Sequence, residues 1–212
     1  MSTTQRDTDL DLSGFLAAHR SMRVEYGRLA DVTTTPRDAA HEALIDDQTA
    51  VFLDLLHQHH QGEDELLWPR LRERVPERVA DLDLLEEEHH KIDPLLQAAG
   101  DKSHSRESRA AALAELHALI NQHLDDEERI ALPLICEYIT PQEWEDVGKQ
   151  AVAKMSPKQR KIAFGHSAVL ADPAELAELM SQLPPPVRLI LKYRYMPFNR
   201  RRNQALYGGG AG

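Results

Sequence analysis

The chain has 212 residues, of which 42% are hydrophobic, so it can bury the core of an ordinary domain. It contains no apolar run long enough to span a membrane, and its polar, acidic start differs from a signal peptide, so we expect a cytoplasmic protein. The single cysteine, Cys136, excludes a disulfide framework and a thiolate metal cluster. Any bound metal would therefore be held by nitrogen and oxygen ligands.

The charge is unevenly distributed along the chain. Residues 1–140 carry 14 basic and 29 acidic side chains, whereas residues 141–212 carry 11 and 6. An acidic body argues against nucleic-acid binding by the main domain, because phosphate recognition relies on clustered Lys and Arg. The basic C-terminal part has to be considered separately.

Helical spacing of apolar residues dominates the sequence, and strand signals are scarce. The pattern predicts four long helices, over residues 12–31, 36–75, 76–99 and 105–138. Thr35 is the predicted N-cap of the second helix, with Pro36 at its first position, and Pro69 is predicted to kink it. Because short connections favour antiparallel neighbours, the predicted fold is all-α, an antiparallel up-and-down four-helix bundle over residues 1–140.

Residues 141–212 are predicted to form an accessory region, a short C-terminal helical extension. Thr140, Ser156 and Asp172 each precede a proline and predict three helix starts. The segment VRLILKYRYMPFNRRR could contact a membrane, a protein or nucleic acid, but we favour docking on the bundle, with its apolar residues covering exposed surface. The glycine-rich end from Gly208 is predicted to be disordered.

An internal repeat is the most informative feature of the sequence. Residues 59–71 read HHQGEDELLWPRL, and residues 123–135 read HLDDEERIALPLI. Each copy has a histidine, a glutamate four residues later and a proline ten residues after the histidine. Since residues four apart share one helix face, each copy presents a histidine and a glutamate together.

The two copies predict a metal site with two equivalent halves. A histidine lies among the apolar positions of the helix that precedes each copy, which gives a histidine, a histidine and a glutamate per half. Imidazole suits iron, zinc and copper, and a glutamate carboxylate can bridge two cations. The predicted ligands are His19, His59, Glu63, His89, His123 and Glu127. Six ligands leave coordination positions open on two ions, which implies reactivity or ligand binding.

The order H, H-x-x-x-E, H, H-x-x-x-E resembles the hemerythrin and HHE cation-binding family over about residues 12–139. The phrases EDELLWP and EERIALP are similar to the acidic, apolar and proline phrase that follows the family's ligands. EEEHHKI resembles its third-helix histidine motif, and AAHRSM its opening histidine. The resemblance implies two iron ions with an oxo or hydroxo bridge and a reaction with dioxygen or peroxide.

One departure from the family bears on function. Oxygen-carrying hemerythrins have two histidines four residues apart on the third helix, but the residues four after and four before His89 are Asp93 and Leu85. The set of four histidines and two glutamates looks more like bacterial HHE proteins, some of which decompose peroxide. Asp93 or Tyr26 could add a ligand.

Other assignments of the same residues stay open. His90 is the alternative to His89, since adjacent helical positions face about 100° apart. Glu86 and His89 have the E-x-x-H spacing of ferritin-like di-iron proteins, but that family needs it on two helices. His57 and His60 are assigned to neighbours of the ligands or to the solvent-facing surface.

These observations lead to two hypotheses about function. The first is a di-iron protein that reacts with dioxygen or hydrogen peroxide. One version of this reaction is catalase-like removal of peroxide. The rival is a non-enzymatic sensor or store for oxygen, nitric oxide or iron. A structural zinc or manganese site ranks below iron. It stays open, because ligand type restricts the metal without selecting it.

Overall fold

The computed structural model describes residues 10–208, and every regular element in that range is helical. The predicted all-α class is confirmed. The helices are α1 (Ser13–Thr33), α2 (Ala39–Gly62), α3 (Trp68–Arg74), α4 (Val79–Gly100), α5 (Arg106–Tyr138), α6 (Pro141–Lys154), α7 (Pro157–Leu170), α8 (Pro173–Gln182), α9 (Pro185–Ile190) and α10 (Met196–Tyr207). A 3-10 turn, Pro76–Arg78, precedes α4. No helix within residues 10–208 is both long enough and apolar enough to cross a membrane.

Helices α1, α2, α4 and α5 are the long helices, and they pack in a ring. Helix α1 contacts α2 and α5, and α4 contacts the same two helices. Their inward faces form two apolar clusters, because their leucine, isoleucine and aromatic positions recur at helical spacing, and the larger cluster is the main apolar core. Among its fully buried members are Tyr26, Leu29, Leu56, Leu113 and Leu116.

The helix starts follow local capping chemistry. Ser105 caps α5 by accepting a hydrogen bond from the backbone N–H of Ser108, and Thr140 forms a capping box with Glu143, as the sequence predicts. The predicted start at Pro36 is wrong. Asp38 caps α2 instead, since its carboxylate accepts from the backbone N–H of His41 while the residues before it form a turn.

The second predicted helix is divided by a π-helical turn, Glu63–Leu67, which lies between α2 and α3. Pro69 follows it closely, and a proline inside an α-helix removes one hydrogen bond and clashes with the preceding turn. Pro133, at the matching position of the repeat, lies inside α5 without such a turn. The π turn therefore does not follow from the proline alone, and its first residue is the predicted ligand Glu63.

The accessory helices α7 and α10 pack on α1 and α2. Ile162 of α7 is fully buried in the same apolar cluster as the long helices, and Phe198 of α10 packs against it. The close approach of α7 and α10 depends on Gly165, because a Cβ there would lie 2.8 Å from the backbone oxygen of Tyr195. Residues beyond 140 thus contribute to the core of the long helices.

The contact of the C-terminal segment with the bundle uses residues other than those expected. Leu191 is buried, but Leu189, Ile190 and Tyr193 are exposed, so most of the predicted apolar cover faces outward. Arg202, expected to be solvated, instead pairs with Asp47 at 2.8 Å. The predicted disorder of the glycine-rich end concerns residues 209–212, which lie outside the described residues.

A buried polar network joins α10 to α1. Glu25 of α1 is fully buried, and its Oε1 accepts hydrogen bonds from Tyr207 Oη and Gln48 Nε2, each at 2.5 Å. His166 Nε2 of α7 lies 3.3 Å from the other carboxylate oxygen. Because a buried carboxylate is costly without donors, the hydrogen bond from Tyr207 stabilises the position of α10 against α1, and that from Gln48 the position of α2.

Truncating Ile162 tests whether α7 shares the core of the long helices. We expect Ile162→Ala to lower the free energy of unfolding of the full chain by about 2–4 kcal/mol, because it removes a fully buried side chain and leaves a cavity. Urea unfolding followed by circular dichroism measures the change. Leu189→Ala, at a position that is 56% exposed, is the matched control and should change stability by less than about 0.5 kcal/mol. Equal effects of the two substitutions would contradict the shared core.

Candidate metal centre

The six predicted ligands converge between the long helices. His19 lies on α1, His59 on α2, Glu63 at the end of α2, His89 on α4, and His123 and Glu127 on α5. Ligand atoms of His19, His59, Glu63 and Glu127 all lie within 4.8 Å of one another, and we call this group the mixed cluster. Ring nitrogens of His60, His89 and His123 meet the same limit, and we call them the imidazole cluster.

The site is buried from solvent. Glu127 and His19 are 0% exposed, His123 is 1% exposed, and Glu63 and His89 are each 2% exposed. The side chain of His59 is the most accessible of the six, at 14%. Glutamate and histidine are rarely buried to this extent without a partner, so the arrangement requires a chemical explanation.

Both glutamates extend across the space between the two clusters. Glu63 Oε1 lies 2.9 Å from His59 Nε2, and Glu63 Oε2 lies 3.6 Å from His89 Nε2. Glu127 Oε2 lies 3.4 Å from His19 Nε2 and 3.8 Å from His123 Nε2. Each carboxylate can therefore reach ions in both clusters, as a bridging ligand must.

Acidic side chains behind the site orient three of the imidazoles. Nδ1 of His19 lies 2.9 Å from Glu128 Oε1, and Nδ1 of His89 lies 2.9 Å from Asp64 Oδ1. Each of these two carboxylates directly follows one of the two glutamates of the mixed cluster in the sequence. With its N–H donated outward to a carboxylate, an imidazole keeps its Nε2 lone pair for a metal. His123 Nδ1 is oriented in the same way by Glu88, at 2.9 Å.

The inward-facing atoms lack hydrogen-bond partners, and they fit a metal. Within residues 10–208, Nε2 of His19 and of His59 and all carboxylate oxygens of Glu63 and Glu127 form no hydrogen bond, although His59 Nε2 and Glu63 Oε1 lie 2.9 Å apart. Nε2 of His89 and Nε2 of His123 lie 3.2 Å apart, although neither has a proton to share once Nδ1 carries it. Buried lone pairs and carboxylates that face one point are what a cation would satisfy.

Burial controls the protonation of the metal-free site. It lowers the pKa of His19 to about 3 and raises the pKa of Glu63 to about 8. The pKa of Glu127 is raised well above its ordinary value, first by burial and then by the charge of Glu63. Glu128 differs from these two glutamates, because the hydrogen bond from His19 lowers its pKa to about 2. Burial lowers the pKa of His59 and of His123 as well, so these two imidazoles and that of His19 are neutral and able to bind a metal.

The structure also distinguishes among the alternative residues. His89 is buried, whereas His90, the alternative ligand, is exposed. This difference favours His89. The hydroxyl of Tyr26 donates to the carbonyl of Phe52, and neither Tyr26 nor Asp93 belongs to either cluster. His60, which the sequence assigned to a neighbour of the ligands or to the solvent-facing surface, is buried and belongs to the imidazole cluster. Its position directly after His59 was the only signal, and the repeat has leucine at the matching position.

The long helices that carry the two clusters fall largely within a match to a known family. The family model of the hemerythrin HHE cation-binding domain matches residues 11–135. The chain belongs to the hemerythrin HHE cation-binding family. The resemblance drawn from the sequence is confirmed, and the histidine and glutamate clusters fit a metal-binding protein. No curated protein and no solved structure matches the chain.

The buried carboxylates of this hemerythrin-like site predict a pH dependence of stability. In the metal-free protein the folded state keeps the Glu63 proton up to about pH 8, whereas the unfolded chain releases it near pH 4.5. The stabilisation is complete below pH 4.5 and is lost as the pH rises through 8. Between about pH 7 and 8 we expect the loss of the Glu63 proton to lower the free energy of unfolding by about 1 kcal/mol.

Glu63→Gln should reduce this decline, because the amide does not titrate, whereas Glu127, whose pKa burial also raises, still titrates. Urea unfolding of the metal-free protein at a series of pH values measures it. Glu87→Gln, at an exposed position of α4, is the control and should keep the wild-type pH profile. The same decline in Glu63→Gln as in wild type would show that Glu63 does not hold the proton.

Proposed function

We propose that the chain binds two metal ions, preferably iron, and that this centre reacts with dioxygen or hydrogen peroxide, removing peroxide in a catalase-like reaction. The convergence of unpaired, buried ligand atoms in two adjacent clusters carries the proposal. The proposed ligands are those predicted from the sequence, His19, His59, Glu63, His89, His123 and Glu127. The short connections before α2 and α5 support an antiparallel up-and-down arrangement of the long helices around them.

The chain's own residues would set the properties of the centre. Glu63 and Glu127 would bridge the ions and offset part of their charge, and the histidines would fix each ion in place. Glu128 and Asp64 hold the imidazoles of His19 and His89 in the orientation that binding needs. Bound iron would supply redox chemistry toward oxygen species. Zinc or manganese would fit the same ligand types.

Aromatic side chains cover the accessible side of the mixed cluster. The ring of Phe15 lies 4.2 Å from the ring of His19 and 5.4 Å from that of His59. Trp144 of α6 contacts Phe15 edge-on at 5.6 Å. This cover limits the access of bulk water, while a molecule as small as dioxygen or peroxide could pass when Phe15 moves.

A second candidate function is a sensor of oxygen, nitric oxide or iron. It is supported by the contact between α10 and α1, since Tyr207 binds Glu25 on the same helix that carries His19. A change at His19 could move α1 and so alter the contact with the accessory helices. The sensor would react once per centre, whereas the enzyme would turn over.

Loading and turnover experiments test the proposal. Protein purified without oxygen and loaded with ferrous iron should hold about two ions per chain and should release oxygen repeatedly when given peroxide. His59→Ala should abolish turnover, because it removes a ligand of the mixed cluster. An oxygen electrode and metal analysis measure the two quantities, and His57→Ala, at an exposed position of α2, is the control.

Stoichiometric oxidation without repeated oxygen release would favour the sensor. A wild-type chain that stays metal-free when offered ferrous ions would reject both functions. Unchanged turnover in His59→Ala would exclude the proposed ligand set.

Phe15→Ala tests the aromatic cover. Removing the ring opens the side of the mixed cluster next to His19 and His59, so we expect metal release to a chelator to become several-fold faster. Stopped-flow absorption with a coloured chelator measures the rate. Leu16→Ala, at a neighbouring position of α1 that is 39% exposed, is the control. Equal release from Phe15→Ala and wild type would place the access route elsewhere.

A further inference from the structure

His60 is a buried histidine that the family's sequence pattern does not include. It is 3% exposed, and its ring is parallel to that of His89 at a centroid distance of 3.9 Å. Its ring centroid lies 5.1 Å from that of His123. One ring nitrogen of each of these three residues lies within 4.8 Å of those of the other two. His60 therefore lies next to the point that His89 and His123 share. Because an imidazole lone pair lies in the plane of its ring, the His60 ring has to rotate out of the stack to direct a nitrogen at that point.

Neither ring nitrogen of His60 has a hydrogen-bond partner. His89 and His123 differ in this respect, because each has a carboxylate, Asp64 or Glu88, 2.9 Å from Nδ1. A neutral imidazole has one N–H group and one lone pair, and burying both unpaired destabilises the folded state. A metal ion in the imidazole cluster would bind the lone pair and remove part of that cost.

The internal repeat shows that the packing of the fold does not require a histidine at this position. His60 matches Leu124 in the second copy, since each follows the first histidine of its copy. Leu124 is 0% exposed and belongs to the main apolar core. A leucine fills the equivalent buried position, so the histidine in the first copy needs an explanation other than packing.

The position of His60 on α2 also separates it from His59. Adjacent residues of a helix face directions about 100° apart, so one helix can supply ligands to two neighbouring points. His59 belongs to the mixed cluster and His60 to the imidazole cluster. Helix α2 thus contributes one imidazole to each.

We propose that His60 is a fifth histidine ligand, which binds the metal ion of the imidazole cluster together with His89 and His123. This inference rests on the proposed metal-binding function. It makes the two metal positions unequal, with three imidazoles at one position and two, from His19 and His59, at the other. The two halves that the repeat predicts to be equivalent therefore differ by one imidazole, that of His60, and both glutamates belong to the mixed cluster.

The test compares the full-length wild type with two variants of His60. His60→Leu copies the residue at the matching position of the repeat, whereas His60→Phe keeps a ring against His89 without a nitrogen. His57→Leu, at an exposed position three residues earlier on α2, is the matched control. Each protein is loaded with ferrous iron without oxygen, X-ray absorption spectroscopy measures the bound imidazoles, and a chelator measures the release of metal.

We expect both variants of His60 to lose one imidazole per metal pair. They should also release one of the two ions at least about tenfold faster than wild type, because one ligand of the imidazole cluster is missing. His57→Leu should match wild type in both measurements. Metal-free His60→Leu and His60→Phe should melt at the same temperature as wild type or a few degrees higher, because an unpaired buried imidazole is removed.

The outcomes separate this inference from the proposed function. An unchanged imidazole count and release rate in both variants would refute the role of His60 alone. A loss in His60→Leu that His60→Phe does not show would also refute it and would assign His60 to ring packing. If the wild type itself binds no metal, the proposed function fails, and the inference fails with it.

Discussion

The buried carboxylates of Glu63 and Glu127 impose the main constraint on the structure. Each lies between two imidazoles in the protein interior. Neither has a hydrogen-bond donor, and both are almost completely removed from water. A buried, unpaired carboxylate is unstable as an anion, so it must bind a proton or a cation. Protons and metal ions therefore compete for the same oxygens, and metal binding would release protons.

Much of this arrangement could be predicted, because it follows from spacing on helices. The i, i+4 placement of His59 with Glu63, and of His123 with Glu127, needs only the helical repeat. Ser105 and Thr140 identify helix starts through side chains that act within one turn. Glu128 and Asp64, which orient His19 and His89, come one residue after the glutamates. The repeat therefore contains the clustered glutamates together with the carboxylates that orient the imidazoles.

The remaining features depend on contacts between distant segments, which local patterns do not contain. His60 has no counterpart in the second copy, and its burial depends on how α2 rotates against α4. Asp38, and not the predicted Thr35, is the N-cap of α2, because Thr35 belongs to the turn that follows α1. Leu189 and Tyr193 face outward, because Leu191 is the buried residue of the π-helical turn Leu191–Tyr195 and α9 buries none of its own residues.

Helices beyond the matched family segment bury a residue that lies inside it. The match to the family ends at residue 135, yet Glu25, well inside it, is covered by Tyr207 and His166 from beyond it. The segment that the family model covers is therefore smaller than the segment that buries Glu25. A chain shortened to residues 11–135 would expose this acidic group of α1, less than two helical turns from His19. The accessory helices thus support the helix that carries His19.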